Sequence, residues 1–479
     1  MAALRSRLLR SVAVVALTGS LGACASFTRD GGMSPVTSRV SLELGATTAK
    51  IVTPADAAAV RSRVDRLLAR PLTADAAVQI ALLNNRGLQV EYNALGVSEA
   101  EYVAASLPPS PTVSIERVAA SGDLDVERRL IADLLQLLTL PRRSKIAETE
   151  FRAAQHKAVA ATFRTAAEAR RAFYRAVAGR ETAAFLETAR ASAGAAAELT
   201  KKLGETGAAT KLNQARSSAL YAEVATELAE ARLDAAKERE ALTRQLGLWG
   251  RDLDYKLPGR LPSFPRLESR GDVEATALRR RVDIIGDRLE LDALAQRYGL
   301  TEQTRAISML EITGLANHSR SAEGEKANPK GFEVAVQIPI FDFGKASSTK
   351  ARETYMGAVN RLLEKAVNAR SEAREAYATY RGRHEIARAY QSRVLPLRKI
   401  ITEETQLQYN GMLVDPFELL TNARETVAAN VAAIRAKRDF FIADVDFQAA
   451  LIGGGAADGP AASAPKLASA TSASAASPQ

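Results

Sequence analysis

The chain has 479 residues, a formal charge of +10, 5% aromatic residues and a single tryptophan, Trp249. Alanine dominates the apolar residues and buries little surface per residue, so a thick globular core is excluded in favour of closely packed helices. No basic cluster interleaved with aromatics points to nucleic acid, and beyond residue 24 no run of about 20 apolar residues offers a membrane-spanning helix.

Arg5, Arg7 and Arg10 precede the short apolar run Ser11–Gly19, and Leu21-Gly22-Ala23-Cys24 follows. This is the layout of a secretory leader over residues 1–23, too short for a stop-transfer helix. Without those three arginines the formal charge falls from +10 to +7. Cys24 is the only cysteine, so no internal disulfide can form. Its surroundings resemble a bacterial lipobox, which implies lipidation at Cys24. Ala25, standing where an Asp would favour inner-membrane retention, implies the outer membrane. The alternative is an incidental cysteine beside an ordinary cleavage site.

Residues 24–71 read as a polar lead-in with a short helical pattern at Ala55–Leu68. Thr73 caps a helix that Val78, Leu82, Val90 and Leu95 carry to about Ser106, where Leu107-Pro108-Pro109-Ser110-Pro111 breaks it. Thr112–Val118 alternates as a strand and Gly122-Asp123 reads as a turn. Arg129–Leu140 suits a second strand, although Ala132–Leu138 also suits a helix. From Pro141 to Leu203 the pattern is helical, roughly 90 Å at 1.5 Å per residue, too long for a compact domain. Gly204-Glu205-Thr206-Gly207 interrupts it, and Ala208–Leu246 returns as a second helix ended by Gly247.

After the proline-bearing linker Leu257–Arg270 the order recurs. Gly271–Tyr298 is helical, Ala306–Ala316 suits a strand and His318–Lys330 is a polar turn region. In Gly331–Ile340, Phe332, Val334, Val336, Ile338 and Ile340 alternate with polar or small residues, a strand with one apolar face. Gly344 ends it. A helix then runs from Lys345 to Tyr409 through Pro396, Asn410-Gly411 ends that, and Asp415–Ile452 returns. Beyond Gly453 the tail is Ala, Ser, Gly and Pro and reads as disordered. Residue matches support a duplication: Leu212-Asn213-Gln214-Ala215-Arg216 with Leu420-Thr421-Asn422-Ala423-Arg424, and Leu246-Gly247 with Ile452-Gly453. The predicted organisation is a leader (1–23), a lipidated lead-in (24–71), a first repeat (72–250), a linker (251–270), a second repeat (271–452) and a tail (453–479).

In this order the motifs resemble the TolC-like outer-membrane efflux family. Leu72–Asn85 looks like that family's opening helix, Ser106-Leu107-Pro108-Pro109 like its entry to the first strand, and Val336–Lys345 like its last strand running into a helix. The turns at Gly204 and Gly411, each followed by Leu-x-x-Ala-Arg, look like its two periplasmic tips. The resemblance implies a mainly α chain with a small β portion. Long antiparallel helical hairpins would form a trimeric α-barrel, and four strands per chain would join a shared transmembrane β-barrel. It implies a passive outer-membrane duct, a homotrimer without cofactor or catalytic chemistry, working with an inner-membrane pump and a periplasmic adaptor. Leu203, Gly204, Gly207, Gly411, Met412 and Leu413 would be the adaptor-contact turns. Phe332, Val334, Val336, Ile338 and Ile340 would face outer-membrane lipid.

There are departures. Arg281-Val282-Asp283 stands where many relatives have Arg-Pro-Asp. Of the family's tip aspartates only Asp415 has a counterpart here, as a possible pore constriction. For each glycine, simple helix termination is the alternative. His156, His318 and His384 have no ligand partner at helical spacing and read as helix-surface or loop residues, so no metal site is expected. An adaptor lipoprotein or a coiled-coil scaffold are the competing functions, and the scaffold leaves the alternation at Glu333–Ile340 unexplained.

Overall fold

A computed structural model describes residues 26–265, 267, 271–411 and 413–453. Cys24 with its leader, Met412 and the tail from residue 454 lie outside the described residues. Two helices of the lead-in come first, α1 (Ser34–Leu44) and α2 (Pro54–Leu68), then α3 (Ala74–Asn84), α4 (Arg86–Ser106), β1 (Thr112–Ala120) and β2 (Asp123–Asp133). The hairpin α5 (Leu134–Glu205) and α6 (Lys211–Leu246) follows. The order recurs as α7 (Val273–Arg280), α8 (Val282–Thr304), β3 (Met309–Arg320), the two-residue β4 (Lys326–Ala327) and β5 (Lys330–Gln337), then α9 (Lys345–Ala389), α10 (Leu395–Asn410) and α11 (Pro416–Ile452).

The long helices are about twice the length of those that return. α5 has 72 residues and α6 has 36, so at 1.5 Å per residue they extend about 108 and 54 Å. The difference is taken up by the opening helices: α3 and α4 continue the line of α6 along α5. The two ends meet where the opening helix breaks at Asn85 (φ −67°, ψ 118°). Asn84 Nδ2 donates to the Leu246 and Gly247 carbonyls at 3.1 and 2.7 Å, and Asn85 Nδ2 to that of Gln245 at 2.9 Å. These carbonyls are the ones a helix C-terminus leaves unpaired. The second half repeats the break and the close approach. The opening helix breaks at Arg281 (φ −62°, ψ 118°), and left-handed Gly453 ends α11 so close that a Cβ would lie 2.8 Å from Asp283 Oδ1. Both opening segments, expected as single helices, are thus broken in two. The break turns a helix end toward the terminus it must satisfy.

Pro141, expected to start the long helix, lies inside it. Ala132–Leu138 divides between the two readings it allowed: β2 stops at Asp133, whose carboxylate accepts the Gln136 N–H at 2.8 Å and caps α5. Pro396 interrupts the expected Lys345–Tyr409 helix, because it offers no N–H to the preceding turn. A wider π-turn at Tyr390–Val394 accommodates it.

The lead-in is built in more firmly than its polarity suggests. Val36 and Val40 of α1 are fully buried against Tyr92, Leu95 and Phe151. Gln79 bonds both the N–H and the carbonyl of Thr47, and Gln89 likewise bonds Ile51 and Ala49. Each side-chain amide substitutes for a neighbouring strand. Glu99 accepts both the N–H and the hydroxyl of Thr28 at 2.6 Å. The sparse aromatics converge: Phe173, Tyr380, Phe440, Phe441 and Phe447 meet in one cluster with the linker residues Tyr255, Leu257 and Leu261. His384 belongs here, 6% exposed with its ring 4.7 Å from that of Phe264. It is a core residue, not a surface one, because the linker folds over its face of α9. His318 lies on β3, not in a loop.

Gly247 (φ +66°) would place a Cβ 2.7 Å from the Asn84 carbonyl oxygen. Gly247→Ala should therefore cost about 1–3 kcal/mol and lower the thermal midpoint at fixed protein concentration. Gly259→Ala, with no atom within 4 Å, should leave it in place. Equal midpoints for the two variants would show that the junction yields freely.

Candidate channel surfaces

Two regions carry the candidate residues: the sheet and the hairpin ends. In the sheet β1 pairs with β2, β2 with β3, and β3 with both β4 and β5, all antiparallel. Among the described residues the outer edges of β1 and β5 have no partner strand. Register defines rows across the four long strands. One row is Val113, Leu130, Gly314 and Phe332; beside it Ala132 aligns with Ile312 and Val334, and Leu310 with Val336. Side chains alternate between faces at a period of two, so these rows share one face, which also carries Ile115, Val126 and Leu124. Val113, Ile115, Leu130, Phe332, Val334 and Val336 are all exposed.

The opposite face begins with the row Thr112, Ile131, Thr313 and Glu333 and continues through Ser114, Arg129 and Leu315 to Glu116, Glu127 and Asn317. Charge divides between the two. The apolar face carries Arg117, Arg128, Arg320, Lys326 and Lys330 and no acid, whereas the other carries Glu116, Asp123, Asp125, Glu127, Asp133, Glu311 and Glu333 against the one base Arg129. Arg129 is held by Glu127 at 2.6 Å.

The structure brings Phe332, Val334 and Val336 onto this apolar face but not Ile338 and Ile340, which follow the end of β5 at Gln337. Pro339 offers no N–H to prolong the ladder, and the last pairing is Ser308 N–H to the Gln337 carbonyl at 3.0 Å. The chain then turns through left-handed Phe343 (φ +49°) and Gly344 (φ +72°). Asp342 accepts the Gly344 and Ala346 N–H groups at 2.9 and 3.1 Å, and these bonds hold its carboxyl below the ordinary value. A Cβ on Gly344 would sit 2.4 Å from the Arg305 carbonyl oxygen, so glycine is required where α8 ends against the start of α9. The other strands also differ from expectation at their ends: β1 runs on to Ala120, β2 begins at Asp123, and β3 is shifted to Met309–Arg320. Cross-strand pairing carries them through polar residues that read as turn.

At the first hairpin end Gly207 takes the left-handed conformation (φ +77°), and the Ala208 N–H returns to the Leu203 carbonyl at 2.8 Å. Gly204 is helical, and its missing side chain makes room for Gln214 of α6. At the second end Gly411 is right-handed (φ −81°) with only ordinary contacts around it; helix termination there does not demand glycine. Leu413 stands 78% exposed. The Asp415 carboxylate accepts the Phe417 and Glu418 N–H groups at 2.8 and 3.0 Å, capping α11. The two Leu-x-x-Ala-Arg arginines link the hairpins. Arg216 of α6 lies 4.3 Å over the Phe417 ring, and Arg424 of α11 pairs with Glu223 of α6 at 2.7 Å. Sequence singled out these arginines as repeat markers only; their reciprocal use is tertiary.

Among the described residues no group of three His, Cys, Asp or Glu is placed to hold a metal ion, and no helix is long and apolar enough to cross a membrane.

A double-mutant cycle with Arg216→Ala and Phe417→Ala should give a coupling of about 0.5–1 kcal/mol in thermal unfolding. No coupling would mean that the stacking leaves the hairpins independent.

No protein-family model matches the sequence, and no curated protein does. Solved structures match its fold. CusC, described for transmembrane channel formation, superposes with a TM-score of 0.69 at 18% identity, covering 80% of this chain and 92% of its own. The Campylobacter jejuni CmeC outer membrane channel gives 0.64 at 18% identity, covering 80% and 86%. The open state of the Neisseria gonorrhoeae MtrE outer membrane channel gives 0.65 at 16%, covering 81% and 89%. The chain has the fold of these outer-membrane channels.

Proposed function

We propose that this protein is the outer-membrane channel of a tripartite efflux system. It would be a lipoprotein anchored through Cys24 that passes small molecules or ions handed on by an inner-membrane pump through a periplasmic adaptor. The observation that carries this reading is the sheet: among the described residues both edges lack a partner strand, and one face holds the apolar rows and no acid while the other holds the acids. An unpaired strand edge is costly in lipid, and closure into a barrel removes it. Three copies of the four long strands would supply twelve, enough for a barrel with a wet interior, whereas four would enclose no useful bore. The apolar rows with Phe332, Val334 and Val336 then meet lipid, and the acidic face lines the lumen. The α5–α6 and α9–α11 hairpins of three copies ring the periplasmic continuation.

In this reading residues 72–250 and 271–452 are two repeats joined by a linker at 251–270. The turns at Leu203–Gly207 and Gly411–Leu413 meet the adaptor, and Asp415, already committed to capping α11, stands near any constriction. The duct performs no covalent chemistry. A periplasmic adaptor or scaffold has no use for an apolar sheet face with open edges.

Val334→Asp with Val336→Asp should block outer-membrane insertion, since carboxylates on the lipid face are unfavourable. Membrane fractionation reads this, and normal insertion would count against the barrel. Gly411→Phe, where the backbone and the surrounding space accept a side chain, should abolish efflux while chemical cross-linking still finds trimers. Loss of the trimer would assign the turn a structural role instead.

A further inference from the structure

The basic residues on the apolar sheet face need an occupant of their own, and the inference drawn from them rests on the barrel reading above. A lipid-facing surface is expected to avoid charge, yet this face carries Arg117, Arg128, Arg320, Lys326 and Lys330, all exposed. Among the described residues none of the five forms an ion pair; the seven acids of the strands are on the other face, and Glu323 and Glu325 lie in the turn between Arg320 and Lys326.

Their height is ordered. The three rows nearest the helices, which hold Leu310, Val336, Ile312, Val334, Leu130 and Phe332, contain no charge. Bases begin in the next row, where Arg128 aligns with Ala316 and Lys330, and end at the hairpin tips, where Arg320 aligns with Lys326. At about 3.3 Å per residue and a strand tilt of roughly 40°, the Arg128–Lys330 row lies about 15 Å above Leu310 along the membrane normal. By the same estimate Arg320 lies about 25 Å above it, the full thickness of an outer-membrane apolar band. Long basic side chains reach outward to the head-group level from such positions. Guanidinium pairs with phosphate oxygens two at a time.

We propose that the outward basic rows of the sheet bind phosphomonoester-bearing lipid head groups of the outer leaflet. The chain would thus hold a shell of anionic lipid around the outer half of its barrel. Charge complementarity selects this occupant: the face is uncharged in the rows nearest the helices and basic only in its outer half, from which long side chains extend toward the head groups. Attraction to the shell is separated from the cargo path, because the acids of the lumen face oppose cations inside and the bases oppose phosphates outside.

The test uses the full-length lipidated protein in phosphatidylcholine vesicles. These carry a minor fraction of an acylated diglucosamine bearing two phosphates, of its dephosphorylated form, or of phosphatidylglycerol. Conductance reports insertion, and mass analysis of lipid retained after gentle extraction reports binding. The wild type should retain the phosphorylated glycolipid in preference to both others. R117Q/R128Q/K330Q should retain at least about tenfold less of it with conductance unchanged. Should that variant fail to insert, R320Q/K326Q at the tips decides on the same two readouts. Equal retention by variant and wild type, or equal retention of all three lipids, in a protein that conducts would overturn the lipid site and leave the duct standing. A wild type that neither inserts nor conducts would overturn both.

Discussion

An unfinished sheet governs this molecule. Among the described residues, backbone groups along the outer edges of β1 and β5 have no partner strand, and every residue of β1 is exposed. Neither water nor lipid is a good environment for such a sheet alone: one face is apolar, the other acidic, and an open edge in lipid leaves each N–H and carbonyl unpaired. Closing with further copies resolves all three conflicts at once. Each strand pair is continuous with long helices that lie side by side within the chain.

Those helices solve a second problem, how to extend a tube without a thick core. α5 is matched along its length by two shorter segments placed end to end, and α9–α10 by two more. Helix ends would ordinarily expose unpaired carbonyls in the middle of the wall. Here Asn84 and Asn85 reach the carbonyls of α6, and Val282 and Asp283 lie against the end of α11. Burial opposes charge at Asp283, but bonds to Arg281 and the neighbouring Lys365 hold its carboxyl below the ordinary value. Glu372 adds a second acid to Arg281 at 2.5 Å. One aromatic cluster, Phe173, Tyr380, Phe440, Phe441 and Phe447, sits where the linker wraps the helices, and alanine suffices where helix lies directly on helix.

The tips and the sheet use charge differently. At the tips Arg216 and Arg424 cross between hairpins, one to a ring and one to a carboxylate, so the repeated motif produces a reciprocal contact. In the sheet, charge is sorted by face, with the bases on the apolar face and the acids opposite. Alternation along a strand is a local property, but which residues share a face is decided by the rows that pairing assembles.

Much was legible in the sequence because it depends on local periodicity and punctuation. Four long helices, their two turns, the strand at Phe332–Val336 and the helix start at Lys345 follow from spacing, glycine and proline alone. The breaks at Asn85 and Arg281 were not legible, since each interrupts a continuous helical pattern where it meets a helix end far away in the chain. Ile338 and Ile340 kept the alternation of a strand, but Pro339 removed the donor that pairing required. The burial of His384 and of the lead-in depends on what the linker and α1 cover. Local sequence therefore determined which segments are helix, strand or turn. Tertiary structure decided where they stop, which faces are buried and which charges share a face, because those depend on partners brought together only by folding.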